Sequence, residues 1–124
     1  MYNSAIYQKA VEIVKITESL IHSFDDRKDK LKLKEQMVRN AKMIPAKIAG
    51  AEAMDLYSLK MENAILIKIA ARELLADSSL CRQMELCEKD YLSLLKNEIE
   101  LFRLLYLEWV NSFDRSNDID DGWS

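Results

Sequence analysis

A chain of 124 residues with only two Gly and one Pro makes one domain with a core large enough to stand without disulfide or metal staples, and so few turn residues exclude a sheet-rich or loop-rich fold. No apolar run reaches the ~18 residues of a membrane span, and Met1-Tyr2-Asn3-Ser4 lacks the basic and apolar regions of a signal peptide, so a cytoplasmic protein with no membrane partner is expected. Cys81 and Cys87 are then reduced thiols, and their C-x5-C spacing fits no common zinc or redox motif.

The first predicted helix runs from about Ser4 to Ser23, where Ile6, Ala10, Ile13, Thr17, Leu20 and Phe24 recur at 4-3-4-3-4. That spacing is a bundle seam. Residues 25–29 connect it to the next element, with Asp29 as the expected N-cap. The second helix is predicted over Lys30–Glu52, with Met37, Ala41, Ile44 and Ile48 on one face. Pro45 lies inside it. A proline there has no N–H and crowds the carbonyl of Ala41, so a kink is expected. Gly50 is expected to loosen the end of this helix.

Asp55 is the expected N-cap of a third helix over Leu56–Ala76, ended by the break signal Asp77-Ser78-Ser79. Residues 80–88 read equally as a loop or an extra turn. The fourth helix, Lys89–Phe113, carries Leu92, Leu95, Ile99, Phe102, Tyr106, Trp109 and Phe113 at 3-4-3-4-3-4, a seam of three heptads. An all-α, up-down-up-down four-helix bundle over residues 1–113 follows, with an acidic tail, 114–124, expected to be flexible. Ile119 and Trp123 are two apolar anchors in that tail, and such a peptide can dock onto a groove or a basic surface.

Two features exceed what a monomeric bundle needs. The third and fourth helices carry apolar residues off their seams, among them Ile65, Ile69, Leu94, Leu101 and Leu105. A helix apolar nearly all round is buried nearly all round, so a homo-oligomer is the simplest partner; coverage by the connectors or the tail is the competing reading. Charge is also uneven. Residues 27–47 hold eight basic and two acidic side chains, whereas residues 73–124 hold twelve acidic and five basic ones. The basic run (Lys28, Lys30, Lys32, Lys34, Arg39, Lys42 and Lys47) fits either a polyanion-binding face or an internal charge match between helices.

The segment Gln36–Ala49, QMVRNAKMIPAKIA, resembles the "Q-I-R-R-A-A-x-S-I-P-x-N-I-A-E-G" signature of the four-helix-bundle proteins encoded in intervening sequences of bacterial 23S rRNA genes. That superfamily includes the accessory variability determinant (Avd) proteins of diversity-generating retroelements. Tyr7-Gln8-Lys9-Ala10, Ala70-Ala71-Arg72-Glu73-Leu74 and Leu95-Lys96-Asn97-Glu98-Ile99 are similar to weaker pieces of the same pattern. The chain departs at Val38, Lys47 and Ala49-Gly50-Ala51. The resemblance implies a homo-oligomeric bundle, a pentamer, and for the Avd branch a partner reverse transcriptase and its RNA.

Catalytic patterns are missing from the sequence. A di-iron bundle needs Glu-x-x-His on two helices, and the single His22 follows Ser19 at that spacing. His22 instead suits a solvent-facing helix end. There is no Gly-rich phosphate loop and no EF-hand spacing around Asp118, Asp120 and Asp121. Arg72 and Glu73 suit a buried structural pair, and the six Met suit gap fillers in the core. The expected protein is an adaptor without catalysis, cofactor or metal; a purely structural self-assembling bundle is the alternative.

Overall fold

A computed structural model describes residues 4–118. Four helices make up the fold: α1 (Ala5–Ile21), α2 (Leu33–Glu52), α3 (Tyr57–Gln83) and α4 (Lys89–Asn111). They pack as the ring α1–α2–α3–α4, each helix against its two neighbours, with the α2–α3 contact the most extensive and α3–α4 the least. Connectors of four and five residues before α3 and α4 force antiparallel neighbours. Among the described residues there is no strand. The fold is the expected up-down-up-down four-helix bundle.

The seam of α1 is buried from Ile6 to Leu20, with Phe24 half-buried. Thr17 sits on it without leaving an orphan hydroxyl, because its Oγ1 donates to the Ile13 carbonyl at 2.8 Å. From α2, Met37, Ala41, Ile44 and Ile48 meet this seam, and from α4, Leu92, Leu95, Ile99 and Phe102 do so. The α4 seam continues as an aromatic ladder: Tyr106 and Trp109 are 6.3 Å apart, and Phe113 stands edge-on to Trp109 at 4.8 Å. Lys60 Nζ lies 5.3 Å over the Phe113 ring and donates to the Ala51 carbonyl at 2.9 Å, tying the ends of α2, α3 and α4 together.

Helix boundaries differ from expectation where capping comes from a distance. The second helix begins at Leu33, not Lys30. Asp29 caps it from outside: its two carboxylate oxygens accept the Leu33 and Lys34 amides at 2.8 and 3.1 Å. The chain between them turns through Lys32 in the left-handed region, φ 59°. Asp77-Ser78-Ser79 does not end the third helix, which continues to Gln83. The Ser78 and Ser79 hydroxyls donate to the Leu75 carbonyl inside the helix and so do not compete with its backbone. The stop comes at Glu85, φ 52°. The Leu86 amide bonds the Cys81 carbonyl at 3.0 Å and the Glu85 amide bonds that of Arg82 at 3.3 Å, which is a Schellman motif with glutamate at the position glycine favours. Leu86, buried, is its hydrophobic anchor.

Gly50 lies within α2 rather than at its end. A Cβ there would meet Asn63 Oδ1 of α3 at 3.3 Å, so the glycine serves close approach of the two helices. Pro45 is accommodated inside α2. Arg72 and Glu73 are exposed rather than buried as a pair; the buried carboxyl of α3 is Asp77.

Candidate functional site

Most of the exposed large apolar side chains lie along α3 and α4. Ile65, Leu66 and Ile69 on α3 and Leu94, Leu101, Leu104 and Leu107 on α4 are each 41–54% exposed. The spacing of Leu94, Leu101 and Leu104 puts them on one stripe of α4. Leu105, expected beside them, turns inward and is half-buried against the core. Leu66, Leu104 and Leu107 extend the face beyond the predicted residues. The signal for them in the sequence was the same off-seam apolar excess.

Because α3 and α4 touch least, a groove of about 220 Å3 opens between them. Ala71, Leu75, Ile99, Phe102, Tyr106 and Leu107 line it, and Lys68, Arg72, Arg103 and Glu100 stand at it. Arg103 Nε pairs with Glu100 at 3.3 Å. The Tyr106 hydroxyl donates to the Ala64 carbonyl at 2.7 Å, clamping the two helices near this groove. Burial pushes the Tyr106 hydroxyl pKa up, so it remains a donor at neutral pH.

The basic residues gather at the α1–α2 connector and on the outer face of α2. Lys28, Lys30, Lys32, Arg39 and Lys42 are exposed. Lys34 is half-buried and paired with Asp26 at 3.4 Å. Lys47 is half-buried, one turn before Gly50 on the flank toward α3. The concavity nearest the connector mixes Lys32 and Lys34 with Asp26, Asp29 and Glu35, so it is not a dedicated anion cradle. Five of the seven predicted cations are thus exposed, Lys34 is paired with Asp26, and Lys47 is half-buried.

Two further titratable groups, Cys81 and Asp77, are buried. Cys81 is buried, its Sγ 3.6 Å from Met37 Sδ. The neighbouring Cys87 thiol and burial push its pKa up, which makes it a poor nucleophile. Asp77 Oδ2 is buried without a hydrogen-bond partner, and burial first, then the charge of Glu73, raise this carboxyl above its ordinary range. His22 is an exposed residue at the end of α1. Among the described residues no His, Cys, Asp or Glu group is arranged to hold a metal ion, and no helix is long and apolar enough to cross a membrane.

These elements define a small helical bundle with an exposed apolar face on α3 and α4 and exposed basic side chains on the α1–α2 connector and α2. No protein-family model matches the chain, and no curated protein matches it either.

Proposed function

We propose that this chain is an oligomeric helical-bundle adaptor that self-associates through the α3–α4 face and presents the basic connector and α2 outward to RNA. The observation that carries the reading is the apolar face of Ile65, Leu66, Ile69, Leu94, Leu101, Leu104 and Leu107. Apolar patches of this kind mark interaction sites. In the ring, the α1–α2 side lies opposite the α3–α4 side. Association through the latter therefore leaves Lys28, Lys30, Lys32, Arg39 and Lys42 on the outside, repeated once per subunit. Repetition turns five weak phosphate contacts into an avid surface without a basic monomer. The Gln36–Ala49 resemblance supports a pentamer of the intervening-sequence and Avd type, with a reverse transcriptase as protein partner.

A second reading, a self-assembling bundle with no nucleic-acid role, draws on the Lys34–Asp26 pair and the three carboxylates among the lysines of the connector concavity. One experiment separates the two. Light scattering at micromolar concentration gives the mass, and retention on single-stranded RNA is followed from low to high salt. A mass several times 14.4 kDa with salt-sensitive RNA retention supports the adaptor. The same mass with no retention at low salt leaves the structural bundle. A soluble monomer defeats both.

A further inference from the structure

Helices α3 and α4 are tied to each other by two hydrogen bonds and part between them. Toward one end the Tyr106 hydroxyl donates to the Ala64 carbonyl at 2.7 Å, and toward the other Arg82 Nη2 donates to Ser93 Oγ at 2.9 Å. The groove of about 220 Å3 lies between these ties. In the same antiparallel register Lys68, one turn on from Ala64, stands across the groove from Arg103, one turn back from Tyr106. Arg72 follows Lys68 one turn later on α3. Below them the floor is apolar, made by Ala71, Leu75, Ile99 and Phe102. Arg103 is paired with Glu100 at 3.3 Å, whereas among the described residues neither Lys68 nor Arg72 makes an ion pair. Three cations against one carboxylate leave the rim with a surplus of positive charge. Like charges that face each other across a slot repel, and an anion held between them relieves the repulsion.

We infer that this groove is a binding site for a small amphiphilic carboxylate, a medium-chain aliphatic acid free in solution, with its tail on the apolar floor and its head among Lys68, Arg72 and Arg103. This goes beyond the adaptor reading and does not rest on it. Size sets the class of ligand. A closed apolar cavity of about 150 Å3 holds benzene, and sites for drug-sized ligands begin near 300 Å3; a groove of about 220 Å3 tied at both ends therefore suits one short chain. The lining sets its polarity. An apolar floor with a few polar groups at its edge is the form such sites take, the floor supplying affinity and the edge orientation. Charge then selects the head group. A carboxylate gains charge-assisted hydrogen bonds from Arg72 and Lys68. An alcohol of the same length gains only the floor, and an ammonium meets a rim of its own sign, so the groove discriminates by repulsion as well as attraction.

The test is a methyl NMR titration of the full chain with octanoate, with 1-octanol and octylammonium as its uncharged and cationic counterparts. Octanoate should move the Ala71, Leu75 and Ile99 methyl resonances to saturation and leave those of Leu33 and Met37 in place. Octanol should bind roughly tenfold more weakly, the loss expected for two partly solvated ion pairs, and octylammonium more weakly still. Lys68→Gln with Arg72→Gln alters two exposed side chains, so the fold should persist. That variant should bring octanoate down to the affinity of octanol and leave octanol itself unchanged. Groove methyls that do not respond to octanoate would overturn the inference, as would equal binding of octanoate and octanol or an unaltered octanoate affinity in the double variant. Light scattering on the same samples reads self-association separately. A chain that assembles but takes up no octanoate defeats this inference and leaves the adaptor reading standing; a monomer that takes it up does the reverse.

Discussion

Asp118 accepts the hydroxyl proton of Ser58 at 2.9 Å and faces the Ser58 amide at 3.5 Å, sixty residues apart in the chain. An acidic side chain thus satisfies the N-terminus of α3 from the far end of the sequence, where it also complements the helix dipole. Asp118→Ala should destabilise the bundle by roughly 0.5–1 kcal/mol, the low half of the range for removing an N-cap because the pair is exposed. Ser58→Ala should cost a similar amount, and the double variant less than the sum of the two. Urea melts of the four proteins measure this. Full additivity would show that the contact contributes nothing.

The Schellman turn after α3 predicts a gain. Glu85 holds φ 52°, a conformation that costs an L residue roughly 1–2 kcal/mol and glycine almost nothing. Glu85→Gly should therefore stabilise the fold by about 1 kcal/mol, while Glu85→Ala should not. Thermal denaturation of both decides it; equal melting temperatures would mean that the turn relaxes on substitution.

Asp77 should make stability fall with pH. Its buried carboxyl has a pKa raised above the unfolded value near 3.9. The folded state therefore holds this proton more tightly, and its contribution is fully present below the unfolded pKa. It is lost as pH rises through the raised folded pKa. Asp77→Asn keeps the site neutral, so its stability advantage over the natural chain should grow from acid pH toward neutrality. A difference between the two that is flat with pH would dismiss the effect.

Self-association should depend on the exposed apolar stripe. Ile69→Glu with Leu101→Glu places charge on two residues that are nearly half exposed in the single chain, so folding should survive while assembly fails. Light scattering should then report a mass near 14.4 kDa with an unchanged helical circular dichroism spectrum. An assembly of undiminished mass would move the interface elsewhere.

RNA retention should depend on the exposed cations and not on those engaged by the fold. Lys30→Glu, Arg39→Glu and Lys42→Glu together should abolish it and leave the assembly intact, because all three side chains are exposed. Lys34→Gln should matter less, since Lys34 is paired with Asp26. For the natural chain the salt slope should be about −0.7 per phosphate neutralised on a single strand. Retention that survives the triple reversal would exclude this surface.

Periodicity was enough to read the architecture. The 3-4 spacing from Ile6 to Leu20 and from Leu92 to Phe113 names residues that are mostly buried, because a stripe repeating at that interval can face only one side of a helix. The basic run and the surplus apolar residues were also visible, since composition shows what a chain has in excess. Composition does not show what neighbours a residue will meet. Only the tertiary structure set Lys34 against Asp26, turned Leu105 inward while leaving Leu104 exposed, and opened a groove where α3 and α4 part. It also carried α3 past Asp77-Ser78-Ser79 to a left-handed Glu85 and brought Asp118 to Ser58. Each of these depends on contacts that form only after the helices pack, and local sequence preference, worth less than about 1 kcal/mol per residue, yields to them.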